Sequence, residues 1–255
     1  MRLLACGDLH IGAGAQFDRE PGSRLTDQER ALEQIVALVD EHQADTVLIA
    51  GDVFHRPRPT PGELLVFDRF ARQLAARAHV LAIVGNAGHD LEAGDRPCGL
   101  DLFHGSIAVH RMPAVWHGQG LSVATLPSVP AHRLVATRNG GDRATLFQDV
   151  ADLLIATARG LRAEIPAGRP AVLLAHWSIE GASLPNGLPV ADLNEPVLPL
   201  DDLMELGYDA VIAGHIHRHQ ILSEDPLIAY VGSLSVCDFG EVGYDHGVVL
   251  LDVAA

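Results

Sequence analysis

Ala210-Val-Ile-Ala-Gly-His-Ile-His217 reads as a short apolar β-strand that ends in glycine and hands over two histidines one residue apart. Alternation along an extended backbone puts both imidazoles on one side. Gly214 lets the chain leave the strand without a Cβ clash. Two imidazoles converging past a strand's carboxyl end suit a borderline transition metal. A His-X-His pair alone is common on protein surfaces. What changes its meaning is that other apolar strands of this chain end in the same kind of group.

Met1–Cys6 runs into Asp8 and His10, and Asp45–Ala50 into Gly51-Asp52-Val-Phe-His55. Val80–Val84 runs into Gly85-Asn86, and Ala171–Ala175 delivers His176. Between these strands, Thr26-Asp-Gln-Glu29 reads as a capping box opening a helix to about His42, and Thr60-Pro-Gly-Glu63 as a second, with proline at its first position. The alternation predicts a parallel sheet with helices on both faces and functional groups at the strands' carboxyl ends. Further on, Leu100–His104 reads as a short turn or helix, and Ile107–His110 and Leu121–Leu126 as strands of a second sheet. Asp142–Arg162 is helical in pattern, residues 181–199 an irregular loop, and Asp201–Leu206 a short helix. Gln220–Leu222, Leu227–Val231 and Gly247–Val253 finish as strands; no repeat or linker divides the chain, so residues 1–255 read as one domain.

The formal net charge is −15 and all basic side chains are arginine, with no lysine. That argues against bulk electrostatic capture of nucleic acid, although divalent cations in a cleft reverse its local sign. No apolar run reaches the length of a membrane span, and no signal-peptide pattern precedes the first strand. Cys6, Cys98 and Cys237 are far apart and form no CxxC, reading as reduced thiols of a cytoplasmic protein. The phosphate-cradling GxxxxGK[ST] loop and the G-x-S-x-G elbow are both missing, which turns the chemistry away from P-loop and serine-hydrolase mechanisms.

The strand ends supply Asp8, His10, Asp52, Asn86, His176, His215 and His217. These are too many ligands for one tetrahedral zinc and about right for two adjacent ions sharing a bridging carboxylate. Two ions about 3.5–4 Å apart are the usual clamp for in-line displacement at phosphorus.

D-x-H, then GD, GN, a lone strand-end histidine and G-H-x-H, in that order, resembles the calcineurin-like metallophosphoesterase signature. The resemblance implies an α/β fold: a four-layer α/β/β/α sandwich, two mixed sheets flanked by helices. Gly51-Asp52-Val-Phe-His55 with its Arg-Pro run, His176-Trp-Ser-Ile-Glu-Gly-Ala182, and Tyr230-Val-Gly-Ser-Leu234 followed by Asp238-Phe-Gly-Glu241 are similar to blocks of the Mre11/SbcD nucleases. That likeness implies that Asp8, His10, Asp52 and His217 hold one ion and Asp52, Asn86, His176 and His215 the other, with Asp52 bridging. His55 would sit near the scissile phosphate. The implied activity is a 3′–5′ exonuclease and single-strand endonuclease of DNA repair or recombination. It would use two divalent ions, manganese first, with magnesium, iron(II) or zinc as alternatives. The implied partners are DNA, an SMC-like ATPase of the Rad50/SbcC type and a second copy of the chain, through the segments near Thr60–Arg77 and Leu100–His104; no membrane is implied.

The chain departs from that pattern in two places. The family's histidine that protonates the leaving 3′-oxygen follows the ligand asparagine directly, whereas here two residues intervene in Asn86-Ala87-Gly88-His89. We expect a bulge over Ala87 and Gly88 that returns His89 to the site; the alternative is loss of the general acid. The chain also ends just after the closing strand, so the family's DNA-capping and ATPase-gripping segments are expected on another chain or not at all. Acidity and the missing cap favour a second reading, a phosphodiesterase of small substrates such as cyclic nucleotides. A third reading is a catalytically impaired metal-binding scaffold.

Overall fold

The computed structural model describes residues 1–14, 20, 22–91, 96–129, 142–237 and 239–253. The order is β1 (Arg2–Cys6), α1 (Ser23–His42), β2 (Thr46–Ile49), α2 (Pro61–Ala75), β3 (His79–Ile83), β4 (Ala108–His110), β5 (Ala114–His117) and β6 (Ser122–Leu126). There follow α3 (Arg143–Glu164), β7 (Ala171–His176), β8 (Ser178–Ile179), β9 (Val197–Leu198), α4 (Leu200–Met204), β10 (Ala210–Gly214), β11 (Gln220–Glu224), β12 (Leu227–Tyr230) and β13 (Val249–Asp252). A 3-10 turn spans Gly99–Phe103.

Two mixed sheets form, in the orders β13-β1-β2-β3-β4 and β11-β12-β10-β7-β6-β5. The inner strands of both are parallel, and antiparallel β13, β11 and β5 close the edges. The apolar runs are nearly continuous because each strand is buried on both faces. In β1, Leu4 and Cys6 pack under α1 and α2, while Leu3 and Ala5 face the other sheet. In β7, Leu173 and Ala175 pack under α3, while Val172 and Leu174 face back towards Leu3 and Leu48. Three apolar layers therefore separate four structural ones, α/β/β/α. Helices on both faces of a single sheet, as the alternation alone suggested, do not occur: each sheet's second face is covered by the other sheet.

Other local expectations are also corrected. β4 belongs to the first sheet, not the second, because Leu81 and Ala108 pair in parallel. β5, which alternation did not reveal, forms an antiparallel pair with β6. α1 begins at Ser23 behind Gly22, so Thr26 lies inside the helix and its hydroxyl donates to the Gly22 carbonyl. Glu29 pairs with Arg69 of α2 in place of a capping role. Residues 181–199 are less irregular than expected, since β9 pairs with β8. The Thr60–Glu63 capping box at α2 forms as the sequence suggests. No helix of the described residues is long and apolar enough to cross a membrane.

The loops after β2 and β3 are locked together by Asp90, which is 1% exposed. Its carboxylate accepts from the backbone N–H groups of Val53 (3.1 Å), Phe54 (3.0 Å) and Gly85 (2.9 Å). Burial and the nearby Asp52 push Asp90 up to about 6, against those three donors. Asp90→Ala leaves three buried donors without an acceptor and should cost about 3–5 kcal/mol. For a chain of this size that is a fall in Tm on the order of 10 °C, measurable by calorimetry.

Candidate metal centre

The strand ends meet where the two sheets approach. Cys6 is level with Ile49, Ile49 with Ala82, and Gly214 with His176, so each sheet presents its carboxyl ends on one edge. The His176 Nδ1–H crosses between the sheets to donate to the Ala50 carbonyl at 2.6 Å. Glycine is required in this cradle. A Cβ on Gly85 would lie 2.0 Å from Asp52 Oδ1, and at Gly51, with φ +90°, it would lie 2.4 Å from His176 Nδ1.

Strand alternation is not what aims the side chains. β1 ends at Cys6 and β10 at Gly214, so Asp8, His10, His215 and His217 lie beyond the strands. Asp8, His10, Asp52 and His215 have φ of 46°, 42°, 48° and 91°; among the described non-glycine residues Gln43 alone joins them. Such conformations cost of order 1–3 kcal/mol each and persist where surroundings over-determine them. The His-X-His pair splits between two partners. His217 Nε2 meets His10 Nε2 at 2.9 Å, whereas His215 Nδ1 meets Asn86 Nδ2 at 2.7 Å.

Asp52 joins the two halves. Its Oδ1 accepts the Asn86 N–H at 2.6 Å, while its Oδ2 faces His176 Nε2 at 3.4 Å and His10 Nε2 at 3.7 Å. Asp8 accepts the His215 N–H at 3.0 Å, and ligand atoms of Asp8, Asp52 and His176 all lie within 4.8 Å of one another. The outer imidazole nitrogens are spoken for. His217 Nδ1–H donates to Glu241, His215 Nε2–H to Glu195 Oε1 at 2.6 Å, and His176 Nδ1–H to Ala50. With these acceptors behind them, the opposite ring nitrogens, His217 Nε2, His215 Nδ1 and His176 Nε2, face inward, as carboxylate- or carbonyl-backed metal ligands do. His176 Nε2 is buried without a hydrogen-bond partner. Inward-facing imidazole nitrogens, two buried carboxylates and the unpartnered His176 Nε2 fit a pair of divalent cations.

The charges agree. Burial pushes Asp8 up. Burial also favours the neutral form of Asp52, yet His176 and His10 hold it well below the usual carboxylate range. Against burial, Asp52 and Asp8 push His176 up to about 9. Cys237, Glu241 and Asp8 likewise push His217 up to about 11.

A second group of imidazoles lies alongside. Ala87 and Gly88, the latter at φ +108°, form a tight turn in which the N–H groups of His89 and Leu91 both donate to the Asn86 carbonyl. The turn carries His89 back to a ring-centroid distance of 4.6 Å from His10. His89 Nδ1–H donates to the His55 carbonyl at 2.9 Å, so the ring's other nitrogen is Nε2. The His55 ring is 5.7 Å from His10 and 5.5 Å from His89. Burial, His89 and Arg56 lower its pKa, so it stands neutral.

Some residues of the site carry no signal in the sequence. Glu195 lies in the 181–199 segment, where no spacing marks it, and also accepts from Ser178 Oγ at 2.5 Å. Ser128 Oγ donates to Asn86 Oδ1 at 3.2 Å. Glu241 belongs to the Asp238-Phe-Gly-Glu241 block, but nothing in the spacing ties it to His217. Cys237 reads from sequence as a reduced thiol outside any zinc site. Asp238 of the same block lies outside the described residues.

The family model for calcineurin-like phosphoesterase matches residues 1–219. The chain is 26% identical over 283 residues to the SbcD component of nuclease SbcCD from Rhodobacter capsulatus, covering 100% of this chain and 67% of that protein. It is 26% identical over 270 residues to the SbcD component of nuclease SbcCD from Escherichia coli K12, covering 98% and 64%. The chain thus spans about two thirds of these relatives' length. Among solved structures, the Plasmodium GAP50 anchor of the inner membrane complex superposes with a TM-score of 0.51 at 12% identity, covering 92% of this chain and 72% of that one; it shares the fold.

Glu241→Gln keeps the shape beside His217 but removes the charged acceptor. Affinity for divalent ions should fall about 10–100-fold, the usual cost of losing such a backing group, as read by competition with a chromophoric chelator. Gly85→Ala, which drives a methyl into Asp52, should weaken binding at least as much.

Proposed function

The chain belongs to the calcineurin-like phosphoesterase family, and from that premise we propose that it is a two-metal phosphodiesterase acting on DNA. Its activities would be those of a 3′–5′ exonuclease and single-strand endonuclease in repair or recombination. The observation that carries this reading is His89 beside His10 and His55, on the flank of the ligand set. The similarity to the SbcD component of nuclease SbcCD along the whole chain supports it.

Asp8, His10, Asp52 and His217 would hold one ion, and Asp52, Asn86, His176 and His215 the other. Bound there, such ions polarise the phosphoryl oxygens and supply a nucleophilic water at neutral pH. Glu241 and Glu195 hold His217 and His215 in register. His89, its Nδ1–H committed to the His55 carbonyl, carries on Nε2 the proton that goes to the departing 3′-oxygen. Neutral His55 beside it adds no competing positive charge. Manganese is the ion proposed, the cytoplasm the compartment, and an SMC-like ATPase of the Rad50/SbcC type the partner. Leu65 and Leu102, 60% and 70% exposed, support a homodimer through α2 and the 3-10 turn.

A net charge of −15 with no lysine favours a second reading, hydrolysis of small phosphodiesters. Both are tested with end-labelled duplex and single-stranded DNA and an aryl phosphodiester, each with Mn²⁺, Mg²⁺ or EDTA, for the wild type and His89→Ala. We expect Mn²⁺-dependent DNA degradation, abolished by EDTA and lowered about 10²–10⁴-fold by His89→Ala, the range for a lost general acid. The aryl ester, whose phenolate leaves without a proton, should be far less sensitive to His89→Ala. Cleavage of the aryl ester alone would favour small substrates. Metal uptake with no cleavage of either would overturn the enzymatic reading and leave a scaffold.

A further inference from the structure

The residues assigned to the two ions offer nitrogen and oxygen. A sulfur lies beside them. Ligand atoms of Cys237, His10 and His217 all fall within 4.8 Å of one another, and the Nε2 atoms of the two histidines are 2.9 Å apart. The placement is built. Glu241, 2% exposed, receives the His217 Nδ1–H on Oε1 and the Cys237 backbone N–H on Oε2 at 2.7 Å. One carboxylate thus sets both the imidazole and the backbone that carries the thiol. Arg24 Nη2 tethers the same segment through the Val236 carbonyl at 3.1 Å. Cys6 and Cys98 lie instead within the apolar layer under α1 and α2.

We propose that Cys237 is a further ligand of the ion held by His10 and His217, giving that position a soft sulfur donor. This rests on the two-metal reading and deepens it. The Cys237 S–H, now donated to the Ser235 carbonyl at 3.4 Å, breaks as the sulfur–metal bond forms, and its proton leaves to solvent. A thiolate added to two imidazoles and carboxylates shifts preference from manganese and magnesium towards zinc, iron(II) and cobalt(II). The two positions would then differ, the one beside His176 and Asn86 remaining a nitrogen–oxygen site.

Cobalt(II) added to the full chain tests this by absorption. The expected result is a sulfur-to-cobalt charge-transfer band in the near ultraviolet, together with visible ligand-field bands. Cys237→Ser should abolish the first and retain the second. It should also reduce the preference for Zn²⁺ over Mn²⁺ by about tenfold or more, as expected for a lost soft ligand. Ligand-field bands without charge transfer in the wild type, or a charge-transfer band that survives Cys237→Ser, would overturn the proposal while leaving the two-metal reading in place. A chain that takes up no cobalt would overturn both.

Discussion

Two carboxylates, Asp8 and Asp52, are buried side by side at 0% and 2% exposure. Negative charge removed from water costs several kcal/mol per group unless positive charge meets it. No lysine exists to supply it, and the charge facing this pair comes from histidine. His176 and His217 accordingly hold protons far more tightly than a free imidazole does. Much of the surrounding architecture serves that demand: imidazoles turned inward, carboxylates behind them, and a buried His176 nitrogen without a hydrogen-bond partner.

The fold brings this about by aligning strand ends and then bending the backbone past what strands permit. Parallel pairing levels the carboxyl ends of β1, β2 and β3 in one sheet and of β7 and β10 in the other. Left-handed residues then turn the ligands inward, at a local cost that packing must offset. The shared apolar layer between the sheets, including Leu3, Leu48, Val172 and Ile212, holds the halves together. Asp90 fixes the two loops carrying Asp52 and Asn86 to each other. Stability and site geometry are therefore linked through the same buried atoms.

Much of this was legible in the sequence. Glycine-terminated apolar runs mark the strand ends because a buried strand must stop where a polar group begins. Two-sided burial left no alternation to show whether a helix or a second sheet covers each face, so residues alone misjudged the layering that the resemblance supplied. β5 is short and only half-buried, and the pairing of β4 depends on a long-range contact that local pattern cannot encode. In the site, histidines and carboxylates after strands were readable, but Glu195 comes from a segment whose position is set wholly by tertiary packing. The aim of each imidazole was invisible too, since it depends on an acceptor such as the Ala50 carbonyl, 126 residues away in the chain.

On the proposed reading, Asp52 would be shared between two cations, one on the His10 side and one on the His176 side. Manganese titration followed by electron paramagnetic resonance tests it most directly. Two equivalents of Mn²⁺ per chain are expected, with the exchange-coupled spectrum of neighbouring ions, and loss of that coupling in Asp52→Asn. A single equivalent at saturation, or two ions with independent six-line spectra in the wild type, would contradict it.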